Sequence, residues 1–211
     1  MQKLFAIGDI HGHFDKLVRL IDKIDIDFDR DRLIFLGDYI DRGPDTFQVV
    51  EYLIDLKKIC PRSVFLMGNH EYMLDAYLSG GDSFNYLVSG GRQTVDSYLK
   101  NVPTAGDALV PPAHREFFDS LLLYYETEAY IFVHAGLKPK IPLEKQSARD
   151  MLWIRNSFMR SSYHHGKKIV FGHTPVSAPL VEENKIGLDT GVAYGGKLTC
   201  VQLPQEIFFQ A

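Results

Sequence analysis

The most informative stretch of this sequence is FLGDYIDRGPD, residues 35–45. An apolar run ends there in Gly-Asp, and a second acid, Asp41, follows Asp38 by three residues and stands directly before Arg42. A single acid in such a place is usually a turn residue or a helix cap. Two acids and an arginine at the carboxyl end of a strand-like run suggest a chemical role. If they have one, other strand ends in the chain should carry residues of related chemistry.

The composition predicts one water-soluble globular domain over residues 1–211. A net charge of −4, from 23 basic and 27 acidic residues, argues against nucleic-acid binding by bulk charge. No apolar run approaches 18 residues, so no membrane partner is expected. The N-terminus lacks a signal-peptide pattern, and Cys60 and Cys200 form no close-spaced motif. Both features favour a cytoplasmic location in a reducing compartment.

Apolar runs of strand length alternate with helical patterns along the chain. Five runs end in Gly or close to a His, and they lie at 4–8, 32–37, 63–68, 130–136 and 168–173. Helical spacing of apolar residues predicts helices at 14–24 and 45–58, and mostly helical structure over 71–100 and 113–123. Continuous apolar runs suit strands that are covered on both faces. The pattern predicts an α/β fold with two packed sheets flanked by helices.

The predicted strands share one further feature, which is the type of polar residue at their ends. The residues at these ends are Asp9, His11, Asp38, Asp41, Arg42, Asn69, His70, Glu71, His134 and His173. Functional residues in open α/β sheets gather outside the carboxyl ends of the strands. Five strand ends with Asp, His or Asn at the same level therefore predict one shared site.

The residue types at the strand ends favour a metal site. Carboxylates, imidazoles and an amide oxygen, with no thiolate, suit Mn²⁺, Fe or Zn²⁺. Six such groups are too many for a single catalytic ion that keeps an open position, and they fit two ions about 3.5–4 Å apart. One carboxylate between two ions can bridge them, and Asp38 is the candidate. We therefore expect two divalent metal ions as cofactors, with manganese as the first choice.

Five motifs of the chain resemble, in order, the signature of the PPP-type metallophosphoesterases: GDIHG, GDYIDRGPD, GNHE, VHAGL and FGHTP. Within that family the chain is most similar to the small bacterial and phage serine/threonine phosphoprotein phosphatases. The likeness continues through LLYYETEAYIFVHAGL, DMLWIRNSF and IGLDTGVAYGGKLTCVQL, so it covers nearly the whole chain. It implies a single metallophosphoesterase catalytic domain, a calcineurin-like β-sandwich flanked by helices, with a dinuclear metal site at the sheet edge.

The resemblance also implies a role for each site residue. The ligands of the first metal would be Asp9, His11 and Asp38. The ligands of the second would be Asp38, Asn69, His134 and His173. The catalytic pair would be His70, which protonates the leaving oxygen, and Asp41, which orients it. The residues that hold the phosphate oxygens would be Arg42 and Arg155.

The function implied by the resemblance is a metal-dependent phosphomonoester hydrolase, in particular a serine/threonine protein phosphatase. A metal-bridging hydroxide would attack phosphorus directly and in line, on a phosphorylated protein or peptide bound by a monomer. The alternative is a symmetrical diadenosine tetraphosphatase or another hydrolase of small phosphoanhydrides, since those enzymes share GDIHG and the final Gly-Gly-Lys-Leu. A third interpretation, a binding module without activity, would require a lost ligand, and every expected ligand is present.

Three histidines outside the motifs are expected to have no catalytic role. His114 stands in a polar stretch before a predicted helix, and we expect it to face solvent. His164 and His165 lie in SSYHHGKK, which is typical of a surface loop.

Overall fold

Ten strands form two mixed sheets in the computed structural model, which describes residues 2–102 and 108–211. The strands are β1 (Leu4–Ile7), β2 (Arg32–Phe35), β3 (Val64–Phe65), β4 (Tyr124–Glu126), β5 (Tyr130–Val133), β6 (Lys168–Phe171), β7 (Leu180–Val181), β8 (Lys185–Gly187), β9 (Thr199–Leu203) and β10 (Ile207–Gln210). The first sheet has the order β10-β9-β1-β2-β3, and the second has the order β4-β5-β6-β8-β7.

Each sheet contains three adjacent parallel strands. In the first sheet β1, β2 and β3 run parallel, while β9 is antiparallel to β1. In the second sheet β5, β6 and β8 run parallel, while β4 and β7 are antiparallel edge strands. The carboxyl ends of parallel neighbours meet at one edge of a sheet. Each sheet thus brings three consecutive strand ends together.

Helices cover the outer faces of both sheets. The α-helices are α1 (Phe14–Lys23), α2 (Thr46–Ile59), α3 (Asn69–Leu78), α4 (Ser83–Tyr86), α5 (Arg92–Asn101), α6 (Pro112–Asp119), α7 (Ala148–Trp153) and α8 (Asn156–Met159). Short 3-10 turns lie at Leu143–Lys145 and Val192–Tyr194. Within the described part of the chain, no helix has both the length and the apolar character needed to cross a membrane.

The side chains of each central strand alternate between two cores. Ala6 of β1 packs between the sheets, in a cluster that also contains Phe132 and Val170 of the second sheet. Its neighbours Phe5 and Ile7 point to the other face, where they join a cluster with the helices of the first sheet. Because successive residues of a strand face opposite sides, a strand between two apolar layers must be apolar throughout. This explains the unbroken apolar runs and confirms the predicted sandwich.

The predicted helices at 14–24 and 45–58 are confirmed as α1 and α2, whereas the predicted helical region 71–100 is divided into three. Two glycines in left-handed backbone conformations mark the breaks, Gly80 at φ 81° and Gly90 at φ 113°. Glycine adopts this conformation without the steric cost that other residues carry. The periodicity of the apolar residues does not reveal such breaks, so the sequence suggested a longer helical region than the protein has.

Candidate metal centre and active site

Six strand ends place polar side chains in one buried cluster. The residues that follow β1, β2, β3, β5, β6 and β8 are Asp9, Asp38, Asn69, His134, His173 and Asp189, and each is at most 6% exposed. Three of these ends belong to each sheet, so the cluster lies where the two sheets meet. The resemblance had assigned all of these residues to the site except Asp189.

The backbone at this cluster adopts unusual conformations. Among the described residues, seven other than glycine have a positive φ, and five of those belong to the motifs: His11, Asp38, Asp41, Arg42 and His173. A residue with a side chain in this region costs on the order of 1–3 kcal/mol and persists only where the surrounding structure imposes it. The fold thus accepts local strain to turn these five side chains into the cluster.

Two glycines of the motifs make room for carboxylates. A methyl group added to Gly68, in GNHE, would overlap Asp38 Oδ1, and one added to Gly172, in FGHTP, would overlap Asp9 Oδ1. Each carboxylate comes from a different strand than the glycine that receives it. The glycines of these motifs therefore allow close approach between strand ends, which a larger residue would prevent.

Two histidines of the cluster are fixed in the same tautomer. His11 Nδ1 donates to the carbonyl of Ile40 at 2.9 Å, and His134 Nδ1 donates to the carbonyl of Leu36 at 2.8 Å. The Nε2 of His173 is also buried, and it has no hydrogen-bond partner. A proton on Nδ1 leaves a lone pair on Nε2. Backbone carbonyls that hold Nδ1 in this way are typical of histidines that bind metals through Nε2.

Several lone pairs face one another in the second half of the cluster. His134 Nε2 lies 3.0 Å from Asn69 Oδ1 and 3.5 Å from Asp38 Oδ1. None of these three atoms carries a proton to donate when Asp38 is ionised, so their approach is favourable only with a cation between them. His173 contributes a further unpaired Nε2, and its donor atom groups with those of Asp38 and His134 within 4.8 Å. The residues present therefore fit a metal ion.

Asp38 faces both halves of the cluster with different oxygens. Its Oδ1 is directed at His134, while its Oδ2 lies 3.6 Å from His11 Nε2 and 3.9 Å from His70 Nε2. Two groups of close donor atoms share this residue: His11, Asp38 and His70, and Asp38, His134 and His173. This arrangement is what a carboxylate between two cations requires.

Burial determines the charges in the cluster. Burial, together with repulsion from Asp9 and Glu71, raises the pKa of Asp38 well above its ordinary value. Burial also lowers the pKa of His134 to about 3 and that of His173 to about 2. The imidazoles are therefore neutral at pH 7, the form in which a histidine can bind a metal, and the crowded carboxylates would repel one another less with a cation between them.

Asp9 lies outside the group of close donor atoms that contains the other two expected ligands of the first metal, His11 and Asp38. Both of its oxygens accept the backbone N–H of His173 at 3.1 Å, which joins the end of β1 to the end of β6. Asp9 belongs to neither group of close donor atoms, whereas His70 belongs to the first. The structure thus brings His11 and Asp38 together as expected, and it joins Asp9 to the site through the backbone of His173.

His70 and Asp41 form a buried pair. His70 Nδ1 lies 2.6 Å from Asp41 Oδ2, and its Nε2 accepts a hydrogen bond from Arg42 at 2.9 Å. Asp41 is held in turn by the hydroxyl groups of Thr94 at 2.6 Å and Tyr86 at 3.0 Å. The carboxylate therefore has one orientation and fixes the ring of His70, with Nε2 directed into the cluster.

Two arginines border the cluster. The second terminal nitrogen of Arg42 donates to His11 Nε2 at 2.9 Å, and its guanidinium lies 5.4 Å from the ring centre of Tyr194. Arg155 is exposed, directly before α8, and its charge contributes to the lowered pKa of His134 and His173. Both cations thus lie close enough to the cluster to attract an anionic group there.

Sequence reasoning missed the roles of Glu71 and Asp189. Glu71 Oε2 accepts the backbone N–H groups of Asp38 and Gly68 at 2.9 Å, and Oε1 accepts that of Tyr39 at 2.8 Å. It therefore fixes two strand ends relative to each other. The position of Glu71 in the GNHE motif was the sequence signal that could have indicated this role.

Asp189 follows β8 in GLDTG and raises the pKa of Asp9 through repulsion, a lesser cause than burial. The signal there was one more apolar strand that ends in an acid.

Replacing Thr94 with valine is expected to lower the free energy of unfolding by about 1.5–3 kcal/mol, because its hydroxyl bonds a buried carboxylate. The same hydroxyl also accepts the backbone N–H of Asp41 at 2.9 Å. Thr199→Val is the matched control, since that buried hydroxyl bonds only neutral groups, the hydroxyl of Thr190 and the amide of Gln210. The control should lose about 0.5–1.5 kcal/mol. Urea unfolding measures both, and an equal or smaller loss in Thr94→Val would contradict this role.

The expectation that His114 faces solvent is wrong, because the residue is fully buried. Its Nδ1 bonds the hydroxyl of Tyr98 at 2.8 Å, and its Nε2 bonds Glu51 at 2.6 Å. These partners satisfy both ring nitrogens, which allows a histidine in a core. His164 is exposed, as expected for a surface loop.

Two curated relatives of this chain carry the same name. The bis(5'-nucleosyl)-tetraphosphatase PrpE [asymmetrical] of Geobacillus sp. (strain WCH70) is 27% identical over 228 residues, which cover 96% of this chain and 91% of the relative. The protein of the same name from Oceanobacillus iheyensis is 26% identical and covers 98% of this chain and 90% of its own length. These names differ from the serine/threonine phosphatases that the motifs most resembled.

Solved structures share the fold at low identity. A crystal structure described as a candidate diadenosine tetraphosphatase matches 100% of this chain and 93% of its own, with a TM-score of 0.77 and 20% identity. A cold-active protein-tyrosine phosphatase from a Shewanella species matches 100% of this chain and 80% of its own, with a TM-score of 0.70 and 19% identity. A serine/threonine phosphatase from Saccharomyces cerevisiae has a TM-score of 0.64 at 18% identity, over 96% of this chain and 72% of its own.

The sequence also matches a family model over almost its full length. That model describes the calcineurin-like phosphoesterases, and it matches residues 3–201. The match includes all six strand ends of the cluster and both arginines beside it. The chain belongs to the calcineurin-like phosphoesterase family.

Proposed function

We propose that this protein is a metal-dependent hydrolase of dinucleoside tetraphosphates that cleaves its substrate asymmetrically, into a nucleoside monophosphate and a nucleoside triphosphate. The observation that carries this proposal is the likeness to curated relatives of that name over at least 96% of this chain and at least 90% of their own. This likeness favours a phosphoanhydride substrate over the phosphoprotein substrate that the motifs suggested first. It also favours asymmetrical cleavage over the symmetrical cleavage of the earlier alternative.

The proposed cofactors are two divalent cations, with manganese as the first choice over iron or zinc. Asp38 would bind both, because its two oxygens face different histidines. The other proposed ligands are Asp9 and His11 for the first cation, and Asn69, His134 and His173 for the second. When bound, the cations polarise the phosphoryl oxygens and lower the pKa of water to near 7.

The two arginines are proposed to hold the phosphate that is attacked. Phosphoryl transfer places charge on the equatorial oxygens, and a guanidinium can bind two of them with parallel N–H groups. Arg42 already directs two of its nitrogens into the cluster, toward His11 and His70. Arg155 lies in the connection between β5 and β6 of the second sheet. The cluster thus receives positive charge from both sides of the seam between the sheets.

His70 is proposed to donate a proton to the leaving oxygen from Nε2. Asp41, 2.6 Å from Nδ1, would stabilise the charged imidazolium that this step requires. Proton transfer from such a positioned group typically supplies about 10²–10⁴-fold in rate. The gain depends on the leaving group, because a nucleotide phosphate is a stable anion and an alkoxide is not.

The His70–Asp41 pair favours a second candidate function, a serine/threonine protein phosphatase. A serine or threonine alkoxide leaves poorly without a proton, so a buried and oriented acid is most useful to an enzyme for phosphomonoesters. A phosphorylated protein or peptide would then be the substrate.

A substrate panel with added Mn²⁺ separates the candidates. Diadenosine tetraphosphate is compared with phosphoserine, phosphothreonine and phosphotyrosine peptides at equal concentrations, and products are separated by anion-exchange chromatography. The proposal expects AMP and ATP in equal amounts and kcat/KM well above that of every peptide. Two molecules of ADP would indicate symmetrical cleavage, and turnover of the peptides alone would support the second candidate.

Replacing Arg155 with lysine is expected to lower kcat/KM by roughly 10- to 100-fold, since the charge is kept but the planar pair of donors is lost. Arg160→Lys is the matched control, because Arg160 is also exposed and stands at the other end of the same short helix. The control should retain wild-type kinetics. Unchanged kcat/KM in Arg155→Lys would exclude two-point binding of phosphate by this residue.

A further inference from the structure

One surface cleft is lined by Tyr72, Ala148, Arg149 and Trp153. Its volume is about 380 Å³. This lies within the roughly 300–1,000 Å³ that is typical of sites for small ligands. None of the four residues belongs to the groups of metal-binding donors or to the proposed acid pair.

The chain connects this cleft directly to the catalytic cluster. Tyr72 follows His70 by two residues on α3, and Trp153 precedes Arg155 by two residues at the end of α7. The backbone of Trp153 also influences the ring of His173, whose pKa it raises against the larger lowering by burial. Both aromatic residues thus lie within one helical turn, along the chain, of a residue proposed to act at the cluster, although side chains two apart on a helix leave it on different faces.

The cleft has the chemical character of a site for a flat, polar ring. Tyr72 and Trp153 pack edge to face, with ring centres 5.2 Å apart at 87°, and Tyr72 remains 49% exposed. Among residues 2–102 and 108–211, the Tyr72 hydroxyl, the Trp153 indole N–H and the Arg149 guanidinium have no hydrogen-bond or ion-pair partner in the protein. Two aromatic surfaces with three unengaged polar groups suit a heteroaromatic ring that carries acceptors on its edge.

The geometry points to a nucleobase subsite at Tyr72 and Trp153, which binds one base of the dinucleotide by stacking, with Arg149 placed for the adjoining sugar or phosphate. This inference rests on the proposed function and names where its substrate is recognised. Stacking tolerates any base, because every base has an aromatic face. The subsite therefore selects nucleotides over phosphopeptides without selecting adenine.

Trp153 allows a direct binding test, because it is the single tryptophan of the chain. Protein freed of metal with EDTA is titrated with ADP, with pyrophosphate and with a phosphotyrosine peptide, and tryptophan fluorescence is followed. The subsite predicts saturable quenching by ADP, and none by the other two. Tyr72→Ala should weaken ADP binding by roughly 5- to 150-fold. Tyr72→Phe should retain it, since the ring remains.

Tyr163→Ala is the matched control, since Tyr163 is 41% exposed and precedes β6, at the end opposite His173. It should bind ADP as the wild type does. Equal quenching by ADP and pyrophosphate, quenching by the peptide alone, or wild-type affinity in Tyr72→Ala would each overturn the subsite. Tyr72-dependent ADP binding in a protein that does not hydrolyse diadenosine tetraphosphate would support the subsite and reject the proposed reaction. Hydrolysis of diadenosine tetraphosphate with a KM that Tyr72→Ala leaves unchanged would support the proposed reaction and reject the subsite.

Discussion

Replacing Asp38 with asparagine is expected to remove both cations from the protein and to lower turnover by about 10³-fold or more, because Lewis-acid stabilisation contributes several kcal/mol. The two oxygens of Asp38 face different histidines, so a single substitution affects both halves of the cluster. Metal content after Mn²⁺ loading measures this independently of activity. It should fall from two per chain in the wild type to below one in the variant.

The metal-free variant should be at least as stable as the metal-free wild type. Burial raises the pKa of Asp38, so its charged form opposes folding at pH 7 until a cation compensates it, and a neutral amide removes that cost. Asp31→Asn is the matched control, since Asp31 is fully buried and bonds the backbone N–H groups of Lys3 and Asp27. It should keep two cations. One cation per wild-type chain, or two in Asp38→Asn, would reject the bridging role.

His70→Asn is expected to slow the hydrolysis of a phosphoserine peptide by about 10²–10⁴-fold, while p-nitrophenyl phosphate and diadenosine tetraphosphate lose far less. A serine alkoxide needs a proton as it leaves, whereas nitrophenolate and a nucleotide phosphate are stable anions. Turnover of the three substrates by one purified variant gives the comparison. Metal content should remain near two, because His70 is proposed as an acid rather than a ligand.

His114→Asn is the matched control for that experiment. Its Nε2 bonds Glu51 at 2.6 Å, the same distance that joins His70 to Asp41, but in the helical layer away from the cluster. The control should lose stability without any dependence on the leaving group. Equal losses on all three substrates in His70→Asn would indicate that His70 positions the substrate. Loss of metal would make it a ligand, consistent with its place beside His11 and Asp38.

The strands and most of the cluster could be predicted because their signals are local. An apolar run that ends in glycine and then an acid or a histidine specifies a strand covered on both faces and a sharp turn with a polar residue, and Asp9, Asp38 and His173 each follow this pattern. Parallel pairing then places such ends together. The fold class and the membership of the cluster therefore followed from short stretches of sequence.

What could not be predicted depends on contacts between distant residues. His114 is buried because Glu51, 63 residues away, and Tyr98 satisfy its nitrogens, and nothing local to it indicates either partner. Likewise, the cleft at Tyr72 exists only because α7 brings Trp153 to it. The proposed choice between a nucleotide and a phosphopeptide would depend on this cleft, whose residues lie outside the five motifs of the sequence.

Because the cluster spans both sheets, metal binding is expected to be coupled to the stability of the fold. Asp38 belongs to the first sheet and His134 and His173 to the second, so an ion held by all three binds only while the sheets are docked. A ligand specific to the folded state stabilises it by about 4 kcal/mol at 1,000 times its dissociation constant. The melting temperature and the resistance to proteolysis of this protein should therefore rise with the concentration of free metal, even in the absence of substrate.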